Sequence, residues 1–254
     1  MFICVAGKNK CAVDTVKYLL NSKIEKNKIL VLPNDSDKGV DSWQPSLKKF
    51  ARNKKIKIVN LKKLYNIKQL FFFSLEYEKI INIKKFNSKN LFNFHFSLLP
   101  KYRGCHTNFL QIYNGERFSG VTLHKIDNGI DTGDIIDQIK FKIHINDSAY
   151  DNYKKLMKFS IKLFKKNFKK ILNNNYELKK QILSNGKYYK RTSVNYKKLL
   201  KINMKNFSIK NHNKIRSLIF PAYQYPYVNG IKVVKSIYKN KKIYLTKSSD
   251  YKFK

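Results

Sequence analysis

The chain has 254 residues and a formal net charge of +38, from 54 Lys and Arg against 16 Asp and Glu. This length supports a substantial hydrophobic core. No apolar segment approaches the ~18 residues of a membrane span, and the apolar N-terminus lacks the basic start of a signal peptide. We therefore expect a cytoplasmic protein without a membrane span. The three cysteines have no metal-ligand spacing and imply neither a metal site nor a disulfide framework.

The positive charge has two interpretations. Only five of the 54 basic residues are Arg, whereas proteins that contact phosphates or bases specifically favour the guanidinium fork. Lysines occur in nearly every segment, which favours compositional drift on solvated faces. The alternative is an RNA or DNA groove. We expect no specific nucleic-acid partner, although the charge attracts anions in general.

The N-terminal half alternates short apolar runs with helical patterns. Strands are predicted at 2–6, 29–32, 57–60 and 70–73, and a helix at 12–20 follows the first of them. The last strand is continuously apolar, as a parallel strand buried on both faces should be. This alternation predicts an α/β fold with a doubly wound, Rossmann-like sheet.

Two segments of this half are candidates for ligand contact. Lys8, Asn9 and Lys10 stand between the first strand and its helix, where a loop either cradles a phosphate or is an ordinary solvated turn. Trp43 follows a turn-forming loop. It either stacks on a ligand base or fastens the next helix to the sheet.

A polar pair lies in the middle of the chain. Side chains alternate across a strand, so Asn93 and His95 share one face of a predicted strand whose other face is phenylalanine. Pro100 forces the chain off the sheet soon afterwards. The pair therefore stands at a strand end, where α/β folds carry their sites.

A carboxylate follows in a tight loop, because Asp131 lies between Gly129 and Gly133. An amide, an imidazole and a carboxylate can thus converge on one cleft. The alternative is that His95 is a hydrogen-bonded core histidine and Asp131 stabilises a turn.

The remaining chain predicts a strand at 135–145, a Lys-rich amphipathic helix that covers the sheet, and a small C-terminal helix–hairpin module. We expect a catalytic domain over 1–185 and this module over 186–254. Tyr223, in an aromatic segment of the module, either stacks on a base or packs in the core. Whether the C-terminal hairpin makes a homodimer is left open.

Three motifs resemble the signatures of the folate-dependent formyltransferases, which include glycinamide ribonucleotide, methionyl-tRNA and sugar-nucleotide N-formyltransferases. They are Asn93-x-His95, the loop Ser97-Leu98-Leu99-Pro100 with Tyr102-Arg103-Gly104, and Gly129-Ile130-Asp131-Thr132-Gly133. The resemblance implies that Asn93 stabilises an oxyanion, that His95 accepts a proton and that Asp131 orients His95.

The resemblance also implies N10-formyltetrahydrofolate as the formyl donor. The residues expected to contact it are Ser74, Leu75, Tyr77, Ser97, Leu98, Leu99, Pro100, Asp127 and Gly129. The residues expected to contact the acceptor are Lys8, Asn9, Lys10, Trp43 and Tyr223.

Segments 41–46 and 216–227 resemble the sugar-nucleotide branch, which implies formylation of a nucleotide-linked aminosugar such as a dTDP-amino-dideoxyhexose. One alternative is methionyl-tRNA formyltransferase. A short C-terminal region and Cys105-His106-Thr107-Asn108 in place of an Ala-Ala-Pro type sequence weigh against it. The other alternative is a non-catalytic RNA- or polyanion-binding protein.

Overall fold

The computed structural model describes residues 1–206 and 208–250, so the last four residues of the predicted C-terminal module lie outside it. The strands are β1 (Phe2–Gly7), β2 (Ile29–Pro33), β3 (Lys57–Ile58), β4 (Leu70–Leu75), β5 (Asn90–His95), β6 (Arg103–Gly104), β7 (Phe118–Lys125), β8 (Ile135–Lys142), β9 (Tyr188–Tyr189), β10 (Lys201–Ile202), β11 (Tyr227–Val228), β12 (Ile231–Lys239) and β13 (Lys242–Lys247). The α-helices are α1 (Asn9–Asn21), α2 (Leu47–Asn53), α3 (Leu61–Tyr65), α4 (Thr107–Tyr113), α5 (Ala149–Leu172), α6 (Tyr196–Leu199) and α7 (Ile209–Ser217).

The central sheet has the strand order β3-β2-β1-β4-β5-β7-β8. Its first five strands are parallel, whereas β7 and β8 are antiparallel to their neighbours. Apolar clusters cover both faces of this sheet, and the predicted doubly wound α/β fold is confirmed. The strand order reverses between β1 and β4, which is the point where open α/β sheets bind their ligands.

Helix α5 covers one face of the sheet, as the apolar stripe of the sequence predicts. Its N-cap is Ser148, which accepts a hydrogen bond from the Asp151 N–H, and the Asp151 side chain accepts one from the Ser148 N–H in return. This capping box satisfies two helix-end donors. Leu156, Leu163 and Phe164 are then buried against the strands.

The ends of β1 and β4 lie unusually close together at the reversal point. Gly7 has φ +143°, and a Cβ built on it would lie 1.8 Å from the Leu75 carbonyl oxygen. Only glycine fits such an approach. Helix α1 begins at Asn9, earlier than predicted, so the expected loop at 7–10 is reduced to the Gly7–Lys8 junction.

The C-terminal part packs directly on the rest of the chain. β6 pairs with β9, and residues of α4 share an apolar cluster with α7 and the four-stranded sheet β10-β11-β12-β13. The buried His212 and Arg216 of α7 contact the carbonyl oxygens of Ile145 and Asp147. The predicted C-terminal hairpin is present as β12 and β13. The division at residue 185 remains a proposal. None of the described helices is both long and apolar enough to cross a membrane.

Candidate active site

A cavity of about 470 Å³ opens beyond the carboxyl ends of β4 and β5. We call it the catalytic cavity, because Asn93, His95 and Asp131 all line it. The strand face predicted to be polar is the face that points into this cavity, and the phenylalanines of β5 lie in the core. The sequence prediction that the three polar groups meet is therefore in agreement with the structure.

Asn93 is held by two acceptors. Its Nδ2 lies 3.2 Å from Asp131 Oδ1 and 3.1 Å from Nε2 of His124, a residue directly opposite it on β7. His124 Nδ1 faces the Lys125 carbonyl oxygen at 2.7 Å. A carbonyl can only accept, so in neutral His124 the proton is on Nδ1 and Nε2 is the acceptor. Both Asn93 N–H groups are thus engaged, and one must exchange before it can donate to a formyl oxygen.

His95 contacts both the backbone and Asp131, and the orienting role that the resemblance implies for Asp131 remains a prediction. Its Nε2 lies 2.7 Å from the Tyr102 carbonyl oxygen. Because that oxygen can only accept, Nε2 carries the proton of the neutral ring. Nδ1 is then the nitrogen able to take up a proton, and Asp131 Oδ2 lies 3.4 Å from it. Asp131 therefore lies where its charge can stabilise a protonated His95 ring.

Asp131 is a buried carboxylate whose charge is well supported. Its side chain is 12% exposed, and it accepts a 2.8 Å hydrogen bond from the Gly104 N–H. Burial acts to raise the pKa of this carboxyl, but His95, His124 and the Gly104 amide outweigh burial and hold the pKa well below its ordinary value. The group is ionised throughout the physiological range.

The backbone around Asp131 is also held in place. Asp131 itself has φ +55°, a left-handed conformation that is uncommon for a non-glycine residue. The Gln181 side chain stabilises this loop by donating to the carbonyl oxygens of Asp131 and Gly133. A segment 50 residues away in sequence thus fixes the carboxylate.

The loop Ser97, Leu98, Leu99 and Pro100 is absent from the lining of the catalytic cavity, and its contact with folate remains a prediction. Ser97 and Leu99 are buried behind it, and the Thr122 hydroxyl ties the loop to β7 by donating to Ser97 O and accepting from Leu99 N. The loop turns the chain so that the Tyr102 carbonyl reaches His95.

The other predicted folate contacts divide into two groups. Ser74, Tyr77, Asp127 and Gly129 line the catalytic cavity. Leu75 does not, because side chains alternate along β4 and the Leu75 side chain is fully buried in the core. Its contact with folate remains a prediction, and it would be made through backbone groups.

A second cavity of about 420 Å³ carries most of the predicted acceptor contacts. We call it the aromatic cavity, since Trp43 and Tyr223 line it, with ring centroids 5.4 Å apart and planes at 80°. Lys8 and Asn9 line it too. Lys10 lines neither cavity. Its ammonium group forms an ion pair with the Asp14 carboxylate, 2.8 Å away on the surface of α1.

The two cavities share one wall. Four residues line both of them: Lys8, Glu76, Asn108 and Tyr153. Neither Glu76 nor Tyr153 was selected from the sequence, and His124 was also missed. For His124 a signal existed, since Thr122 and His124 alternate with the apolar Val121 and Leu123, as in a strand with one polar face. For Glu76 the sequence signal was a carboxylate directly after a buried strand, whereas the position of Tyr153 on the apolar face of a helix gave no such signal.

This fold and this site are typical of an α/β enzyme in which an amide, an imidazole and a carboxylate surround one reacting centre at the carboxyl ends of the strands. The family model described as "Formyl transferase" matches residues 2–167. The chain belongs to that family.

Solved structures of related proteins cover nearly the whole chain. A structure of WlaRD, a sugar 3N-formyl transferase in the presence of dTDP and 5-N-formyl-THF, is 50% identical, covers 94% of this chain and 87% of that one, and has a TM-score of 0.91. The N-formyltransferase from Helicobacter canadensis, in complex with folinic acid and dTDP-3-aminofucose, is 48% identical over 94% of this chain and 89% of that one, with a TM-score of 0.89.

Among curated relatives, the methionyl-tRNA formyltransferase of Clostridium tetani is 36% identical over 153 residues, which is 60% of this chain. The chain spans 47% of that protein's length.

Proposed function

We propose that this protein transfers a formyl group from N10-formyltetrahydrofolate to the amine of a nucleotide-linked aminosugar, with a dTDP-aminodideoxyhexose as the favoured acceptor. The observation that carries the proposal is the pair of contiguous cavities. One contains the amide, imidazole and carboxylate, and the other contains the aromatic side chains and Lys8. A donor and a nucleotide sugar can thus enter from opposite sides of one wall.

The residues of the catalytic cavity fit a folate. Polar groups of Ser74, Asp127 and Asp131 lie beside the apolar Ile81 and Ile126, and a mixture of this kind suits a ring with amide edges. The cavity volume, about 470 Å³, lies within the usual range for such ligands. When bound, the donor supplies an activated formyl carbon at N10.

Proton movement follows from the hydrogen bonds of the site. As the amine attacks the formyl carbon, negative charge develops on the formyl oxygen, and an Asn93 N–H released from His124 or Asp131 can donate to it. His95 Nδ1 takes the proton that the amine loses, and Asp131 stabilises the imidazolium. The same nitrogen can then deliver the proton to N10 as the carbon–nitrogen bond breaks.

A substrate panel tests the proposed function. We expect N10-formyltetrahydrofolate to yield tetrahydrofolate and an N-formylated sugar with a dTDP-aminosugar, and no formylated product with methionyl-tRNA. Folate absorbance and product mass report the two outcomes. Formylation of methionyl-tRNA alone would establish the tRNA reaction instead, and no turnover with any acceptor would favour a non-catalytic polyanion-binding protein.

The position of Tyr223 in the aromatic cavity predicts that its replacement affects the KM of the acceptor and not the KM of the formyl donor. Tyr223 is 69% exposed, so we expect Tyr223→Ala to leave folding intact and to raise the acceptor KM by about 5- to 100-fold, as loss of base stacking does. The KM for the formyl donor should change little, because Tyr223 does not line the catalytic cavity. Trp43→Phe should act in the same direction.

The matched control for this prediction is Tyr244→Ala, because Tyr244 is also exposed, at 53%, and lies on β13 outside both cavities. It should leave both KM values unchanged. An equal rise in both KM values for Tyr223→Ala would mean that the aromatic residues support packing only.

The absence of a specific nucleic-acid partner and a cytoplasmic location stay predictions of the sequence, which leaves homodimer formation undecided. Steep salt dependence of any tRNA binding is what non-specific attraction by lysines would produce.

A further inference from the structure

The wall between the two cavities contains a carboxylate to which the mechanism above assigns no role. Glu76 follows β4 directly and is a lining residue of both cavities. Asn9 follows β1 and faces it across the reversal point of the sheet. A hydrogen-bonding side chain placed here contacts any ligand that spans the two cavities.

Three side chains hold the Glu76 carboxylate. The Tyr153 hydroxyl donates to it, with distances of 3.0 and 2.8 Å to Oε1 and Oε2. Asn9 Nδ2 donates to Oε2 at 3.1 Å and to the Tyr153 hydroxyl oxygen at 2.7 Å. The Cys11 thiol lies 3.6 Å from Oε2. These contacts come from β1–α1 and α5, so the carboxylate is fixed by elements distant in sequence.

The backbone at this point is strained. Glu76 has φ +60° and Asn9 has φ +64°. A left-handed conformation is uncommon for Glu, and such strain persists only where surrounding contacts enforce it. The Asn34 side chain helps to enforce the conformation of Glu76, because it donates a hydrogen bond of 2.9 Å to the Glu76 carbonyl oxygen.

The charges around Glu76 come from several elements. Burial raises the pKa of this carboxyl, whereas the Tyr153 hydroxyl, Lys8 and Asn9 favour its ionised form. His95 and Asp131 line the same cavity. Oε1 accepts only from Tyr153 among the described contacts, so it keeps acceptor capacity toward the cavities.

We propose that Glu76, fixed by Tyr153 and Asn9, positions the acceptor hexose by accepting a hydrogen bond from the sugar amine itself or from a hydroxyl group beside it. The inference rests on the proposed function and adds a residue to it. The nucleotide occupies the aromatic cavity, the amine reaches the catalytic cavity, and the hexose between them lies along the wall that Glu76 forms. Tyr153 and Asn9 are positioning residues for the carboxylate.

Binding measurements isolate the hexose contact, because dTDP contains the nucleotide but no sugar. We expect Glu76→Gln to weaken binding of dTDP-3-aminofucose by about 10- to 100-fold, the loss typical of a hydrogen bond to a charged group. Binding of dTDP should change by less than about threefold. Tyr153→Phe keeps the Glu76 carboxylate but removes the hydroxyl group that holds it. We therefore expect a smaller loss of dTDP-3-aminofucose affinity, again with little change in dTDP affinity. This second variant decides the matter if Glu76→Gln does not fold.

The matched control is Glu116→Gln. Glu116 also accepts a hydrogen bond from a tyrosine hydroxyl, that of Tyr102 at 2.8 Å, but lies outside both cavities. The ratio of the dTDP and dTDP-3-aminofucose affinities should stay as in the unmodified chain. The affinity of Glu76→Gln for 5-formyltetrahydrofolate should also be unchanged.

The pH dependence of dTDP-3-aminofucose binding identifies the sugar group. A contact with the protonated amine predicts that wild-type affinity falls as the amine deprotonates and that Glu76→Gln removes this dependence. A contact with a hydroxyl group predicts that Glu76→Gln weakens dTDP-3-aminofucose binding by the same factor at every pH. Equal losses for dTDP and the sugar nucleotide, or no loss at all, overturn the assignment of Glu76. Failure of the wild-type chain to formylate any aminosugar overturns the proposed function itself.

Discussion

His95→Ala is expected to lower kcat by about 10²- to 10⁴-fold, the range typical of a lost general base. The reason is that Nδ1 is the ring nitrogen free to accept the amine proton, since Nε2 donates to the Tyr102 carbonyl oxygen. Single-turnover kinetics with N10-formyltetrahydrofolate and a dTDP-aminosugar measure the effect. Affinity for 5-formyltetrahydrofolate should change far less than kcat.

His144→Ala is the matched control, since His144 is exposed and outside both cavities. It should leave kcat unchanged. If His95→Ala retained most of the turnover at a similar melting temperature, His95 would be a hydrogen-bonded core residue, as the alternative interpretation of the sequence holds.

Asp131→Asn is expected to have the second large effect, with kcat about 10²- to 10⁴-fold lower, because the imidazolium of His95 would lose its anionic neighbour. The amide keeps the size of the side chain but not its charge. Asp134→Asn, in the same loop segment but outside the cavities, should have little effect on kcat. Similar losses in both variants would indicate that the loop, rather than the Asp131 charge, is what matters.

The Asp131→Asn variant should also change how the free energy of unfolding depends on pH. The folded-state pKa of Asp131 lies below its ordinary value, so its ionisation stabilises the fold above pH ~4, and this contribution is lost as pH falls through the folded-state pKa. The free energy of unfolding of the wild-type chain should therefore fall more steeply below pH ~4 than that of Asp131→Asn. Chemical denaturation at a series of acidic pH values measures both slopes.

The sequence by itself predicted the fold class and the placement of the candidate reacting groups. Continuous apolar character predicts β4 as a buried strand, and alternation places Asn93 and His95 on one face of β5. Both properties are local, since they depend on residues within one strand. The glycines around Asp131 are equally local, because they permit a tight turn wherever the loop lies.

Sequence resemblance supplied the motif of residues 97–100, and the structure shows what this loop packs against. A motif records which residues occur together, whereas exposure to a cavity depends on what packs behind the loop. Here Thr122 and Gln138, on β7 and β8, take up the loop's backbone groups and leave it in the interior. Leu75 faces the core for a similar reason, as its neighbour Ser74 takes the cavity side of β4.

Only the tertiary structure decided the partners of the reacting groups. His124 meets Asn93 because β5 and β7 pair in one antiparallel register, and Glu76 meets a tyrosine 77 residues away because α5 lies across the sheet. A register and a helix position result from burial summed over the whole chain and from the closure of the intervening loops. No local pattern encodes such contacts, so the residues that orient the imidazole and separate the cavities emerge only when the chain is folded.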